Sequence, residues 1–331
     1  MSSVSFAHPL LAKPLMTDSN RKASIIITTR SRPQLVPRAV QSAKAAGRNV
    51  EIVVVDDASS DETAEVCGGL SGITYVRVER QQGVAGARNI GMVASRGEYL
   101  SFLDDDDTRL PDSLDVQIEA LDRNPEAGLI YGRAIWGNHD GMPTSRSYPS
   151  ECPSGDVFWK LLGRNFIPCG GALFRRSCVS RVGLLDDRIP GLDDWDLWVR
   201  IAEAYPVLSV EAPMIVWKRS TPVSGQGTSN AAGLVSMSVQ KFRHSWMHLP
   251  RAVSAKRSDR GAVWREFSEN MAEHLLWESA RALRLGELRK PLRSLSIIPR
   301  LHPLTLIRIA RHRIFRMPRA GLPESLASSN I

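Results

Sequence analysis

No apolar run in this chain reaches the roughly 18–20 residues needed to cross a bilayer, so a membrane span is excluded. Residues 1–22 hold Pro9, Pro14 and only the short Leu10-Leu11-Ala12 patch. They lack the apolar centre of a signal peptide and read as a loose leader on a cytosolic protein. Cysteine is scarce: Cys67, Cys152, Cys169 and Cys178 are scattered, with no Cys-x-x-Cys pair. Reduced structural thiols are therefore expected. The seven histidines form no ligand-like pair, which argues against zinc. Carboxylates are missing altogether between Glu287 and Glu324, where nine Lys/Arg lie. The net charge is +8, so the rest of the chain is near −1. The main body is thus not a nucleic-acid surface by charge, and no nucleic-acid partner is expected.

What is present is a globular composition, 43% hydrophobic and 24% charged, in a chain long enough for one large α/β domain with an extension. Strand-like runs alternate with helix-like ones. Strands are expected at Ser24–Thr29, Glu51–Val55, Ile73–Val78, Tyr99–Leu103 and Gly128–Tyr131. Helices are expected at about 33–46, 84–95 and 111–123, with Ser59-Ser60-Asp61-Glu62 as a capping box for a short one. This alternation implies a mostly parallel sheet with helices on both faces. Residues 132–168 read as irregular. A strand is expected at Ala172–Phe174, a helix at Asp194–Ala204, and closing strands at Val207–Val210 and Met214–Trp217. Beyond Gly233 the chain reads as helical, at Leu234–His248 and Ala262–Leu285. The expected boundaries are a leader over 1–22, a sheet domain over 23–230 and a helical extension over 231–331.

Four consecutive carboxylates, Asp104 to Asp107, end the strand Tyr99–Leu103. In open α/β sheets, ligands sit at that strand edge. Crowded carboxylates repel one another, and a shared hard cation such as Mg2+ or Mn2+ relieves this while keeping places for substrate phosphates. The plainer alternative is an acidic turn in which Asp107 or Asp112 caps the following helix. A second acidic pair, Asp56-Asp57, ends the strand Glu51–Val55. A third cluster, Asp193, Asp194 and Asp196, opens a helix, where charge at the positive helix end and an N-cap are the ordinary roles.

Taken in order, the blocks Ile25–Arg32, Val54–Asp61, Gly83–Gly91 with Arg96–Asp107, and Gly191–Arg200 resemble the family 2 inverting glycosyltransferases of the GT-A fold. The resemblance covers about residues 23–220. It implies a GT-A sheet domain and a sugar moved from a nucleotide diphosphate donor, UDP- or dTDP-linked by first choice. The implied acceptor is a hydroxyl of a glycan or lipid-linked molecule. Asp106 would contact Mn2+ or Mg2+, and Asp104 would lie between metal and sugar. Thr28, Arg30 and Asp57 would face the nucleoside. Arg88 either binds donor oxygens or pairs with the aspartates. Asp194 matches the family's base, with Asp193 as the neighbouring alternative. The family segment that often ends in His has Ser220 here, leaving Lys218 or Arg219 to meet the diphosphate. Among Trp136, Trp195, Trp198 and Trp217 a sugar-stacking platform is conceivable, with Trp198 better suited to core packing. A sugar nucleotidyltransferase would want a Gly-rich, Lys-containing loop after the first strand, and Thr28-Thr29-Arg30-Ser31-Arg32-Pro33 has none. A non-catalytic sugar or nucleotide binder would not need both intact acidic clusters. Within the basic segment 288–319, Leu304–Arg316 mixes aliphatics and Arg at roughly helical spacing, suiting either an anionic membrane surface or a packed helix with solvated Arg. A peripheral position on the inner face of the cytoplasmic membrane is one expectation.

Overall fold

The computed structural model describes residues 22–138, 141–218, 230–284, 286–287 and 289–301. Residues 23–29 are apolar enough to bury both faces of a strand, and they form β1 (Ala23–Thr29), buried throughout. Then follow α1 (Val36–Ala45), β2 (Val50–Asp57), α2 (Thr63–Gly68), β3 (Thr74–Val78), α3 (Gly83–Ala94), β4 (Tyr99–Asp104), the two-residue β5 (Thr108–Arg109) and α4 (Ser113–Arg123). The second half holds β6 (Leu129–Gly137), β7 (Pro143–Tyr148), α5 (Phe158–Gly163), β8 (Ala172–Arg175), α6 (Arg176–Val182), α7 (Asp193–Ala204) and β9 (Val207–Trp217). The extension comprises α8 (Ala231–His244), α9 (Pro250–Ser254), α10 (Arg257–Arg284) and α11 (Arg289–Leu301).

The nine strands form one sheet in the order β3-β2-β1-β4-β8-β6-β9-β5, with β7 paired to β6. β3, β2, β1 and β4 run parallel, while β8 pairs antiparallel with both β4 and β6. Register puts Thr28 beside Asp104 and Thr29 beside Asp56. The acidic strand ends therefore share one edge with the end of β1. Strand alternation sends Ile25 and Ile27 to one face and Ile26 to the other, and each face has its own core. Gly91 lets α3 lie close to the sheet, because a Cβ there would stand 2.3 Å from Ile26 Cγ2.

Three expectations needed correction. Residues 132–168 are not simply irregular: they hold the end of β6, all of β7 and α5. The two closing strands are one strand, β9, whose register against β6 shifts around Arg133. The capping box is absent, since Glu62 at the start of α2 makes no side-chain cap, and Asp61 Oδ1 accepts from Thr63 N at 3.1 Å instead.

The extension shares the core of the sheet. Phe242, Trp246, Val263 and Phe267 belong to the same buried cluster as Phe102, Phe174 and Trp198. Of the basic segment, α11 is described up to Leu301; Leu304–Arg316 lies outside the described residues. Among the described residues no helix is long and apolar enough to cross a membrane.

Candidate active site

At the end of β4 the strand alternation gives way to a turn, closed by the Asp107 N–H donating to the Asp104 carbonyl at 3.1 Å. The turn sorts the four carboxylates. Asp104, Asp106 and Asp107 offer oxygens that all lie within 4.8 Å of one another. Asp105 turns elsewhere: its Oδ2 accepts from Thr29 Oγ1 at 2.7 Å and its Oδ1 from Arg32 at 2.8 Å. Three hard oxygen ligands, two of them on buried residues, suit Mg2+ or Mn2+. Burial, then the charges of Asp104 and Asp105, push the Asp106 carboxyl up to about 6. Burial and the charges of Asp104 and Asp106 raise Asp107 well above the usual carboxylate range. A cation among these oxygens would relieve both effects.

Asp107 is the member of this group that the sequence pointed to as a helix cap rather than as a candidate metal ligand. It does not cap α4, and neither does Asp112, which makes no side-chain cap and sits at φ 55°. Asp107 Oδ1 instead accepts the Lys218 backbone N–H at 3.0 Å, pinning the end of β9 to the acidic turn. Below the turn, Arg109 is fully buried, and burial pushes its pKa down to about 9. It donates to Ser101 Oγ at 2.9 Å, to Ser113 Oγ at 3.1 Å, and to Gly170 O and Gln117 Oε1. This ties the acidic turn to β4, α4 and the Gly170 turn without a carboxylate partner.

The acidic turn and the acidic start of α7 meet through Arg88. Its guanidinium donates to Asp104 Oδ1 at 2.7 Å and to Asp193 Oδ2 at 2.9 Å, and lies 5.2 Å from the Phe102 ring centroid. Of its two sequence readings, pairing with the aspartates is the one present. Asp193 therefore does not cap α7, whose first residue it is; its Oδ1 accepts from Gly191 N at 3.2 Å. Asp194 Oδ1 accepts only its neighbour's N–H, that of Trp195, at 2.6 Å. Burial and the adjacent Asp193 charge push its carboxyl up to about 7, against the pull of Arg88 and that N–H. Asp196 lies in the first turn of α7, but its charge is matched by specific donors rather than by the helix end alone. It is buried, accepting from Arg200 Nε at 2.9 Å and Trp246 Nε1 at 2.8 Å, with Lys241 Nζ at 3.1 Å.

At the end of β2, Asp57 is buried and accepts the N–H groups of Gln82 at 2.6 Å and Gly83 at 2.9 Å, one on each oxygen. Asp56 accepts Ser59 N at 2.9 Å and Tyr75 Oη at 2.7 Å. Ser31 and Ala58, at the ends of β1 and β2, both have positive φ, 50° and 59°. Such left-handed non-glycine residues cost about 1–3 kcal/mol each and gather where a ligand site fixes the backbone. Thr28 is buried beside Asp104, and Arg30 is exposed at the strand's end. Arg219 and Ser220 lie outside the described residues. Trp198 is core, packed on Phe102 and Phe174, as is Trp195 on Trp246. Trp136 is 41% exposed and meets Trp217 edge-on at 5.3 Å, while Tyr148 stacks on Trp217 at 5.7 Å.

Comparison with known proteins adds the following. The sequence profile described as "Glycosyl transferase family 2" matches residues 24–183. An uncharacterized glycosyltransferase of Haemophilus influenzae is 33% identical over 181 residues, covering 54% of this chain and 62% of that protein. The chain spans less than two thirds of the length of the first curated relatives it matches. Among solved structures, residues 1–349 of S. aureus TarS in complex with UDP-GlcNAc superpose with a TM-score of 0.54 at 12% identity, over 87% of this chain and 92% of that one. The mannosyltransferase PcManGT of Pyrobaculum calidifontis, in complex with GDP-Man and Mn2+, gives 0.54 at 17% identity, over 93% and 92%. At these identities the likeness is one of fold, the GT-A fold.

Proposed function

We propose, from the match of residues 24–183 to the glycosyl transferase family 2 profile, that this chain moves a glycosyl group from a nucleotide diphosphate-sugar to an acceptor hydroxyl, with inversion. One observation carries the reading: Arg88 bonds Asp104 and Asp193 at once, joining the acidic turn and the start of α7 in one cleft. Asp104, Asp106 and Asp107 are the residues that would hold Mn2+ or Mg2+. When bound, the ion supplies neutralisation of the departing diphosphate.

The chain's own residues do the rest. Asp194 takes the proton from the attacking hydroxyl, and a base that titrates near 7 suits that task at neutral pH. Arg88 holds Asp193 and Asp104 in fixed relation, so the distance between base and leaving group is set by one rigid guanidinium. Each Asp57 oxygen accepts one backbone N–H and keeps a further lone pair for a uracil N–H or ribose hydroxyl. Thr28 and Arg30 flank the same pocket edge, and Lys218 or Arg219 meets the diphosphate. A UDP- or dTDP-sugar is the first choice of donor; two fold neighbours were solved with UDP-GlcNAc and with GDP-Man and Mn2+. For the acceptor, a glycan or lipid-linked hydroxyl, the rings of Trp136, Trp217 and Tyr148 offer an apolar wall on which a pyranose face can stack. The basic segment 288–319 is assigned to an anionic membrane surface in this reading.

The test is a thermal-shift screen of nucleotide diphosphates with and without Mn2+, followed by donor hydrolysis under the same conditions. A rise in midpoint only when nucleotide and metal are both present is the expected result. No rise with any nucleotide, and no hydrolysis, would remove the proposal.

A further inference from the structure

Away from the acidic cleft, residues 241–265 hold seven Lys/Arg against Asp259 alone. Two of the seven are engaged: Lys241 by Asp186 and Asp196, and Arg251 by Asp156 at 2.6 Å. Arg243, Arg257 and Arg260 are not paired with any carboxylate among the described residues. All three line one open hollow of about 750 Å³ between the end of α8 and the start of α10. Among the described residues no carboxylate lines it, and its other walls include Phe242, Met247 and Trp264. The hollow is therefore cationic and apolar together.

The walls are built, not incidental. Phe242 is buried and stacks on Phe267 at 4.4 Å, and Trp264 packs on Phe242 at 5.2 Å. The Arg243 guanidinium lies 4.6 Å from the Trp264 ring centroid, so its stem and charge are held over an indole. Val253 on α9, two residues before the lining residue Ala255, is 58% exposed. A small water-soluble anion would need the arginines but gain nothing from Trp264, Met247 or Val253. A molecule with a phosphate head and a hydrocarbon body uses both. Arginines and a tryptophan beside an exposed aliphatic are the pattern by which proteins rest in a bilayer interface.

We infer that this hollow seats the phosphate headgroup of an anionic lipid, with Val253 entering the acyl boundary, so that α9 and the start of α10 form a membrane-resting face. The inference does not depend on the catalytic reading, since no residue of the cleft takes part. It also differs from an anchor at 288–319, which begins in the sequence after the last residue of α10.

The experiment uses the full chain and two vesicle types, phosphatidylglycerol mixed with phosphatidylcholine, and phosphatidylcholine alone. Sedimentation should show binding to the first only. Near an anionic surface each cation contributes about fivefold in partitioning. The triple variant Arg243→Gln, Arg257→Gln, Arg260→Gln should therefore lose about 10²-fold, while the matching triple Lys variant keeps most of the binding. Mn2+-dependent donor hydrolysis in detergent-free buffer should be the same in all. Val253→Asp, an exposed change that leaves the fold alone, should also weaken vesicle binding, and it carries the test should the Gln triple lose thermal stability. Unchanged vesicle binding in both the Gln triple and Val253→Asp would overturn the inference and leave the anchor elsewhere. The inference is equally overturned if millimolar inorganic phosphate raises the thermal midpoint through these arginines while vesicles of either kind fail to bind: the hollow would then be a free-anion site.

Discussion

Replacing Asp194 with Asn should make the protein more stable while removing its activity. The carboxyl of Asp194 is raised from 3.8 to about 7 by burial and by the charge of Asp193. A group whose folded pKa lies above its unfolded value favours folding while protonated. That contribution is whole below pH 3.8 and is lost as pH rises through the interval to about 7. At roughly 1.4 kcal/mol per pH unit, ionised Asp194 costs the folded state at most about 4 kcal/mol above pH 7. Relaxation and partial solvent access reduce this, and we expect about 1–3 kcal/mol. Asn keeps the size, keeps an acceptor for the Trp195 N–H, and carries no charge. In metal-free protein, chemical denaturation from pH 4 to pH 9 should show the Asn variant gaining on the native chain up to about pH 7. The gain should stay level above that. Transfer to acceptor should fall by about 10²-fold or more with donor affinity nearly unchanged. An advantage of the variant over the native chain that is no larger at pH 8 than at pH 4 would refute the assigned burial and like-charge crowding. Normal turnover would refute the role as base.

Four further outcomes follow from the same geometry. Asp193→Asn should not resemble loss of a helix cap: it removes half of the counter-charge of buried Arg88, so destabilisation of about 2–4 kcal/mol is expected in denaturant melts, with a smaller loss in kcat than Asp194→Asn gives. Asp106→Ala should abolish Mn2+-dependent binding of a nucleotide diphosphate by calorimetry, whereas Asp105→Ala, which cuts the ties to Thr29 and Arg32, should weaken it only partly. Activity in the native chain should rise with pH through about 7 as Asp194 ionises, and this limb should be visible in kcat at saturating donor and metal. Arg109→Met should lower thermal stability, because Gln117 and the Gly170 carbonyl lose their buried donor.

The sheet was legible because β1, β2 and β4 are nearly continuous apolar runs that leave strand as the only way to bury both faces. The start of α7 was legible from three acidic residues preceding Leu197 and Ile201. The sorting of the tetrad was not. Strand alternation would pair Asp104 with Asp106 and Asp105 with Asp107, but a turn follows Asp104 and puts Asp107 with the first pair. Arg88 was visible as a cation 16 residues before Asp104, yet its second partner, Asp193, lies 105 residues away, and Arg32, which was not singled out, meets Asp105 across 73 residues, beyond any local pattern. β7 escaped notice because Pro143-Thr144-Ser145-Arg146-Ser147-Tyr148 is polar and mostly exposed, as an edge strand can be. The two cationic groups, 241–265 and 288–319, differ in the same way. The second stands out because no acid interrupts it, whereas the first is diluted by the apolar residues that make its hollow.

Asp196 has a consequence for how such proteins can be recombined. One buried carboxylate takes Arg200 from its own helix and Lys241 and Trp246 from the extension. A cut after residue 230, or a graft of the sheet domain onto a foreign helical appendage, strips two of these three donors and leaves a charge facing an emptied aromatic wall. Breaking such a buried set costs about 3–5 kcal/mol, enough to unfold a marginal domain. The sheet-bearing part of this chain is therefore not a portable cassette. Successful chimeras must either carry residues 241–246 along or convert Asp196 to an apolar residue at the same stroke.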